Sequence, residues 1–210
     1  MFIRKFIAYF QRYFSYTEPL GTIMKTKLLI IILLIFTNLS NGQNKIKGIL
    51  INEYGESGWA EIYLNDKPTK WMNYDGKIEL ETFKKGLNEI IFKYNGHYIT
   101  KIKVECNQST IDLGNVYLII EKFWLDGPKN GFISDTYENG KTKYEVNIKK
   151  WNYHGESKFY NSSGKITQKL IHKKGKLLRI FVRENEKLKE LKFEITKNGE
   201  ILTVPNTVQN

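Results

Sequence analysis

The residues able to do chemistry in this 210-residue chain are few and scattered. Its three histidines, His97, His154 and His172, stand alone, each in or beside a glycine turn or a strand end. None belongs to an H-x-x-x-H or H-E-x-x-H pair, and a single cysteine leaves no thiolate pair to complete a zinc site. Glu79 with Glu81, and Glu184 with Glu186, are i,i+2 pairs that would share one strand face. Paired carboxylates can hydrolyse a glycosidic bond, but no cleft signal accompanies either pair. The serines lack a G-x-S-x-G elbow, Cys106 lacks a nearby His or Asn pattern, and no P-loop or dinucleotide fingerprint occurs. The reading is a protein without catalytic residues, metal ligands or cofactor: not an enzyme.

What remains is charge. The chain carries 33 Lys and Arg against 22 Asp and Glu, a formal net charge of +11. From Lys45 to Leu118, 10 lysines balance 10 acids; from Ile119 to Asn210, 18 Lys or Arg face 11 acids. Such asymmetry supports two units with different surfaces. Ser157 to Arg183 holds no acidic residue, yet carries Lys158, Lys165, Lys169, Lys173, Lys174, Lys176, Arg179 and Arg183, with Phe159, Tyr160 and Phe181 among them. In KLLRIFVRE, alternation points Leu178, Ile180 and Val182 one way and Arg179, Phe181 and Arg183 the other. A sheet face of cations and aromatics could hold phosphate, anionic lipid or an acidic glycan. The competing reading is a solvated lysine-rich face. Trp59, Trp71, Trp124 and Trp151 fall near strand starts or unit junctions, where they would stack on sugars if exposed or seal the sandwich ends if packed.

The elements that must position these residues read as strands. Ile, Tyr, Phe, Lys, Asn and Gly are abundant, and no segment keeps a 3.6-residue period long enough for a helix. Between residues 45 and 118 the alternating runs are KIKGILIN, WAEIYLN, GKIELETF, NEIIFKY, TKIKVEC and IDLGNVYL, separated by turn signals at sandwich spacing. Cys106 alternates with Ile102 and Val104, which predicts a buried apolar residue rather than a reactive thiol. Being alone, it excludes an intrachain disulfide.

From 119 to 204, glycine turns punctuate a strand meander: GFISDTY, KTKYEVNIK, GESKFYN, KITQKLIH, KLLRIFVRE, LKELKFEIT and EILTV. GFISDTYENGKTK and GESKFYNSSGKITQ align with a 24-residue offset between their glycines, an internal repeat. The hinge between units is read in EKFWLDGP around Trp124, and residues 205–210 as a flexible tail.

Two resemblances follow from these residues. Gly48-x-Leu50, AEIYL, Asp75-Gly76-Lys77-Ile78, Gly86-x-Asn88, Asn95-Gly96-His97-Tyr98 and Asp112-Leu113-Gly114-x-Val116-x-Leu118 resemble the carboxypeptidase regulatory-like domain. That family implies a seven-stranded, transthyretin-like β-sandwich without catalytic residues, over residues 45–118; Trp71-Met72-Asn73 departs from its pattern. Tyr137-x-Asn139-Gly140-Lys141, His154-Gly155, Phe159-Tyr160, Ser163-Gly164-Lys165 and Lys174-Gly175-Lys176 resemble the MORN-like repeats of exported YwqK-family antitoxins. This resemblance implies a β-hairpin array, with Trp151 standing where a glycine would be usual. The expected fold is thus all-β, a seven-stranded sandwich followed by an antiparallel hairpin meander of MORN-like repeats.

Met24 to Gln43 sets the compartment. Two lysines, nine unbroken apolar residues from Leu28 to Phe36 and a small-residue end with Ser40 and Gly42 have the build of a secretory signal peptide over 24–42. The run is shorter than the roughly 20 residues a membrane span needs. Residues 1–23 precede a signal complete without them. They read as an upstream extension ahead of a true start at Met24, or else as a basic aromatic segment lying on a membrane surface.

The functional expectation is an exported, non-enzymatic binding or structural protein of the bacterial cell envelope, in the periplasm, on the cell surface or secreted. Its basic second unit would meet an anionic envelope polymer or another envelope protein. No nucleic acid is expected, and membrane contact would come only through an uncleaved leader. The alternative is an antitoxin or immunity-type inhibitor of an envelope-acting toxin.

Overall fold

The structure, a computed structural model, describes residues 44–69, 75–82, 85–121 and 128–203. The expected extension 1–23, the signal segment 24–42, Trp71-Met72-Asn73, Trp124 with the hinge around it and the tail 205–210 lie outside the described residues. Gln43–Asn210 forms one compact unit. The described residues are all-β, with mostly antiparallel strands in three sheets and no helix.

The alternation that marks a half-buried strand is plainest in β1 (Asn44–Ile51), where Ile46 and Leu50 are wholly buried while Lys45 and Lys47 face solvent. β1 lies between β4 (Lys77–Thr82), antiparallel, and β7 (Thr110–Tyr117), parallel. Facing it is a sheet ordered β14 (Phe193–Ile195), β15 (Ile201–Thr203), β6 (Thr100–Cys106), β5 (Gly86–Lys93), β2 (Glu61–Leu64) and β3 (Lys67–Pro68). Ile46, Leu50, Ile78, Leu80, Leu113 and Val116 of the first sheet close on Ile62, Ile90, Phe92, Ile102, Val104 and Cys106 of the second. Burying side chains of this size stabilises by about 1.5–3 kcal/mol each. Cys106 is wholly buried, and burial pushes its thiol pKa up, so the expectation of an inert apolar residue holds.

The third sheet is a pure meander: β8 (Asn130–Thr136), β9 (Thr142–Lys149), β10 (Asn152–Tyr160), β11 (Ile166–Lys173), β12 (Lys176–Glu184) and β13 (Lys187–Leu191), each beside its chain neighbour. The 24-residue offset read in the sequence recurs as geometry. Tyr137 N–H bonds to Lys141 O and Gly140 N–H to Tyr137 O; Asn161 to Lys165 and Gly164 to Asn161 repeat both bonds. The two turns stack, with Tyr137 Oη donating to Tyr160 O at 2.6 Å and Asn139 Nδ2 to Ser162 O at 2.8 Å.

The structure departs from two of the expected strands. LKELKFEIT is not one strand: the ladder of β13 ends at Leu191, and Phe193 opens β14 in a different sheet. Both Leu191 and Phe193 join the same core, so the chain changes sheet where the two sheets approach. Leu178 does not share a buried face with Ile180 and Val182; it is half-exposed, and Leu177 fills the core instead. The cause is a β-bulge, for Ile171 pairs with Arg179 and His172 with Leu177, leaving Leu178 as the extra residue.

The second core lies under the meander. Tyr144, Val146, Tyr153, Phe159, Leu170, Leu177, Ile180 and Val182 pack on Tyr117, Ile119, Ile120 and Ile201, while Leu118 turns into the first core. Residues 117–120 are therefore a seam with a core on either side. Thr167 Oγ1 donates to Glu53 O at 2.6 Å, and Gln168 Nε2 donates to Leu118 O at 3.1 Å. Gly55 makes that approach possible: it has φ +77°, and a Cβ there would stand 2.7 Å from Thr167 Cγ2.

Candidate functional site

The acid-free stretch does not make an acid-free face. β10, β11 and β12 are flanked by strands and turns that carry carboxylates, and the lysines find them. One cross-strand row runs Ser134, Glu145, Lys158, Lys169, Phe181, Glu190. Lys158 and Lys169 both reach Glu156, at 3.5 and 3.4 Å. Arg179 makes a two-pronged contact with Glu190, at 2.7 and 2.9 Å, and Lys165 meets Glu186 at 2.6 Å. These bonds hold the Glu186 and Glu190 carboxyls below their ordinary range and lift the Arg179 guanidinium. Phe181 has Lys169 and Arg179 over its ring, each 4.7 Å from the centroid. Arg183 donates to the backbone carbonyls of Ile166 and Glu186. Five of the eight candidate cations are thus engaged along the sheet.

Lys173, Lys174 and Lys176 are different. They surround the apex between β11 and β12, are exposed, and pair with no carboxylate among the described residues. Alternate turns of a meander share one end of the sheet, and the neighbouring turn there is Lys150-Trp151, between β9 and β10. Gly175 N–H donates to Tyr153 O at 3.1 Å, so the two apices lie side by side. Gly175 permits this contact, with φ +77° and a would-be Cβ 2.8 Å from Asn152 Oδ1. Trp151 N–H donates to Lys129 O at 3.0 Å, which brings in the start of β8. The end of the sheet thereby gathers Lys129, Lys149, Lys150, Lys173, Lys174 and Lys176, all exposed, around a Trp151 that is 66 % exposed. Its chemistry is that of an anion-attracting surface with an aromatic at its centre.

The other chemical candidates resolve separately. His97 is buried, with Nε2 3.0 Å from Glu53 Oε2 and Nδ1 3.1 Å from Asn95 O. Its ring leans on Tyr94, which packs edge-on against Trp59. No local pattern points to this pair at the seam, because Glu53 and His97 are 44 residues apart and the turn Asn95-Gly96-His97-Tyr98 gives no sign of a carboxylate partner. His172 is buried against Tyr153, and burial alone pushes its pKa down to about 4. His154 is half-buried, on β10 beside Gly155, which pairs with His172. Among the described residues no three His, Cys, Asp or Glu side chains gather as a metal site.

Glu184 and Glu186 do not share a strand face: Glu186 lies in the turn after β12 at φ +65°, and the two pair with different lysines, Lys189 and Lys165. Glu79 and Glu81 sit on the exposed side of β4. The basic end was only half visible in the sequence. Lys173, Lys174 and Lys176 stood out within the acid-free run and Trp151 as a residue that would stack if exposed, whereas Lys129, Lys149 and Lys150 did not stand out. Pairing every second turn of the predicted meander would have found them. No family model matches the chain, and comparison with the curated proteins finds no match to it.

Proposed function

We propose that this is an exported, non-enzymatic binding protein of the bacterial cell envelope, built as a carboxypeptidase-regulatory-like sandwich and a MORN-like hairpin array, that engages an anionic partner through the basic end of its meander. The observation that carries the reading is the convergence of six exposed lysines from three separate segments on one end of the sheet, while Lys158, Lys165, Lys169 and Arg179 are matched by carboxylates. The signal-like segment 24–42 supports export.

The test is retention of Gln43–Asn210 on an immobilised polyanion across a salt gradient. The wild-type chain is expected to bind at about 0.1 M salt and elute as the Debye length shrinks toward roughly 3 Å at 1 M. Changing Lys149, Lys150, Lys173 and Lys174 to Gln should move elution to markedly lower salt. Changing Lys158, Lys165, Lys169 and Arg179 to Gln should move it much less, because those cations already have partners. A wild-type chain that fails to bind, or a sheet-face variant that loses binding while the end variant keeps it, sinks the proposal.

A further inference from the structure

Resting on the reading above, we infer that the anionic partner is a lipid bilayer, and that Trp151 seats at its headgroup boundary while the surrounding lysines meet the phosphates. Trp151 occupies a costly position for its kind. Lys150 and Trp151 are the two central residues of a two-residue hairpin, with φ +51° and +64°. Such turns favour Asn-Gly, because bulky side chains rarely adopt the left-handed conformation. The adjacent apex of the same sheet end follows the rule with Gly175 at its second central position; at the opposite end two turns place Gly140 and Gly164 at positive φ, and the third holds the short or flexible polar residues Asn185 and Glu186 there, so Trp151 is the one aromatic among these turn residues at positive φ. A large aromatic held in this conformation and left 66 % exposed points to a role for the indole outside the chain.

The chemistry around it selects the partner. Trp with a rim of lysines is the combination that suits a membrane interface, where the indole sits among headgroups and ammonium groups approach acidic lipid. A sugar polymer would also need acceptors for its hydroxyls. Here the Asn130 side chain accepts from Lys150 N–H at 2.9 Å, and the Asn152 side chain donates to Lys150 O at 2.7 Å, so each amide already spends one of its groups on bracing the turn. The contact surface is two adjoining hairpin tips rather than a trough along the strands, which fits a planar target better than a threaded chain. Membrane contact then belongs to the folded unit itself and needs no leader.

The experiment uses Gln43–Asn210, the compact unit that holds both cores. Binding is measured to vesicles of phosphatidylglycerol with phosphatidylcholine, to phosphatidylcholine alone and to soluble polyglutamate, with brominated lipid as a fluorescence quencher. The wild-type chain is expected to bind the acidic vesicles and to be quenched, and to ignore phosphatidylcholine. Each neutralised lysine should weaken vesicle binding roughly fivefold. Trp151→Gly places the favoured residue in the turn, so it should fold at least as stably as the parent while binding acidic vesicles about tenfold more weakly and losing the quenching. Unchanged vesicle affinity in Trp151→Gly, or wild-type binding without quenching, overturns the inference. Binding to polyglutamate without binding to vesicles overturns the lipid partner alone and leaves the anionic-partner reading standing. Binding to neither overturns both.

Discussion

His172 is the residue at which burial and charge conflict most directly. Its ring lies 5.0 Å from that of Tyr153, neither nitrogen has a hydrogen-bond partner among the described residues, and its pKa falls from 6.5 to about 4. The folded chain therefore takes up the proton at lower pH than the unfolded chain does. The sign follows: the stability that neutral His172 permits is complete above about pH 6.5 and is lost as pH falls toward 4. Each tenfold change in proton affinity is worth about 1.4 kcal/mol, which makes the loss about 3 kcal/mol. Urea unfolding at pH 7.5, 5.5 and 4 should show the wild-type chain losing that much more than His172→Leu over the same range. Parallel losses in the two proteins would mean that other groups set the acid sensitivity. His97, buried beside Glu53, shows the opposite arrangement, a histidine given a carboxylate partner at 3.0 Å.

Elements were legible where the side-chain period stayed at two. β1, β6 and β9 alternate as their sequences do, and the turns Tyr137–Lys141 and Asn161–Lys165 lie where Asn and Gly signal them. β12 breaks the pattern because a bulge adds one residue and flips the alternation on one side of it. The consequence is measurable. Leu177→Ala should cost about 2–5 kcal/mol, the range for a buried leucine, whereas Leu178→Ala should cost under about 1 kcal/mol. Chemical denaturation of the two variants decides it, and equal costs would contradict the bulge. The split of LKELKFEIT had no local signal either. Lys192, the residue between the two strands, is neither Gly nor Pro, and only the geometry of two converging sheets parts Leu191 from Phe193.

At the scale of the whole molecule, the described chain after Gln43 has two cores that share a seam, with the last strand returning to the first-half sheet. β15 runs parallel to β6, pairing Ile201 with Thr100, and Ile201 is wholly buried in the core beneath the meander. One element thus serves both halves. We expect a single unfolding transition for Gln43–Asn210, with Phe92→Ala in the first core and Ile201→Ala in the second each lowering that same midpoint. Far-ultraviolet circular dichroism and tryptophan fluorescence should coincide throughout. Two resolved transitions, each sensitive to only one of these substitutions, would show that the cores fold independently.

The sequence by itself determined that the described chain is all-β, where nearly every strand lies and that Cys106 is buried, because alternation and turn residues act over a few neighbours. It also determined the surplus of positive charge in the second half. Where that charge is free was decided by the tertiary structure alone. Strand pairing set Glu156, Glu186 and Glu190 against the lysines and arginine of the acid-free stretch, and the meander brought distant turns to one end. Charges meet across hydrogen-bonded ladders and not along the chain, so a window of sequence reads as a patch only when the strands beside it are known.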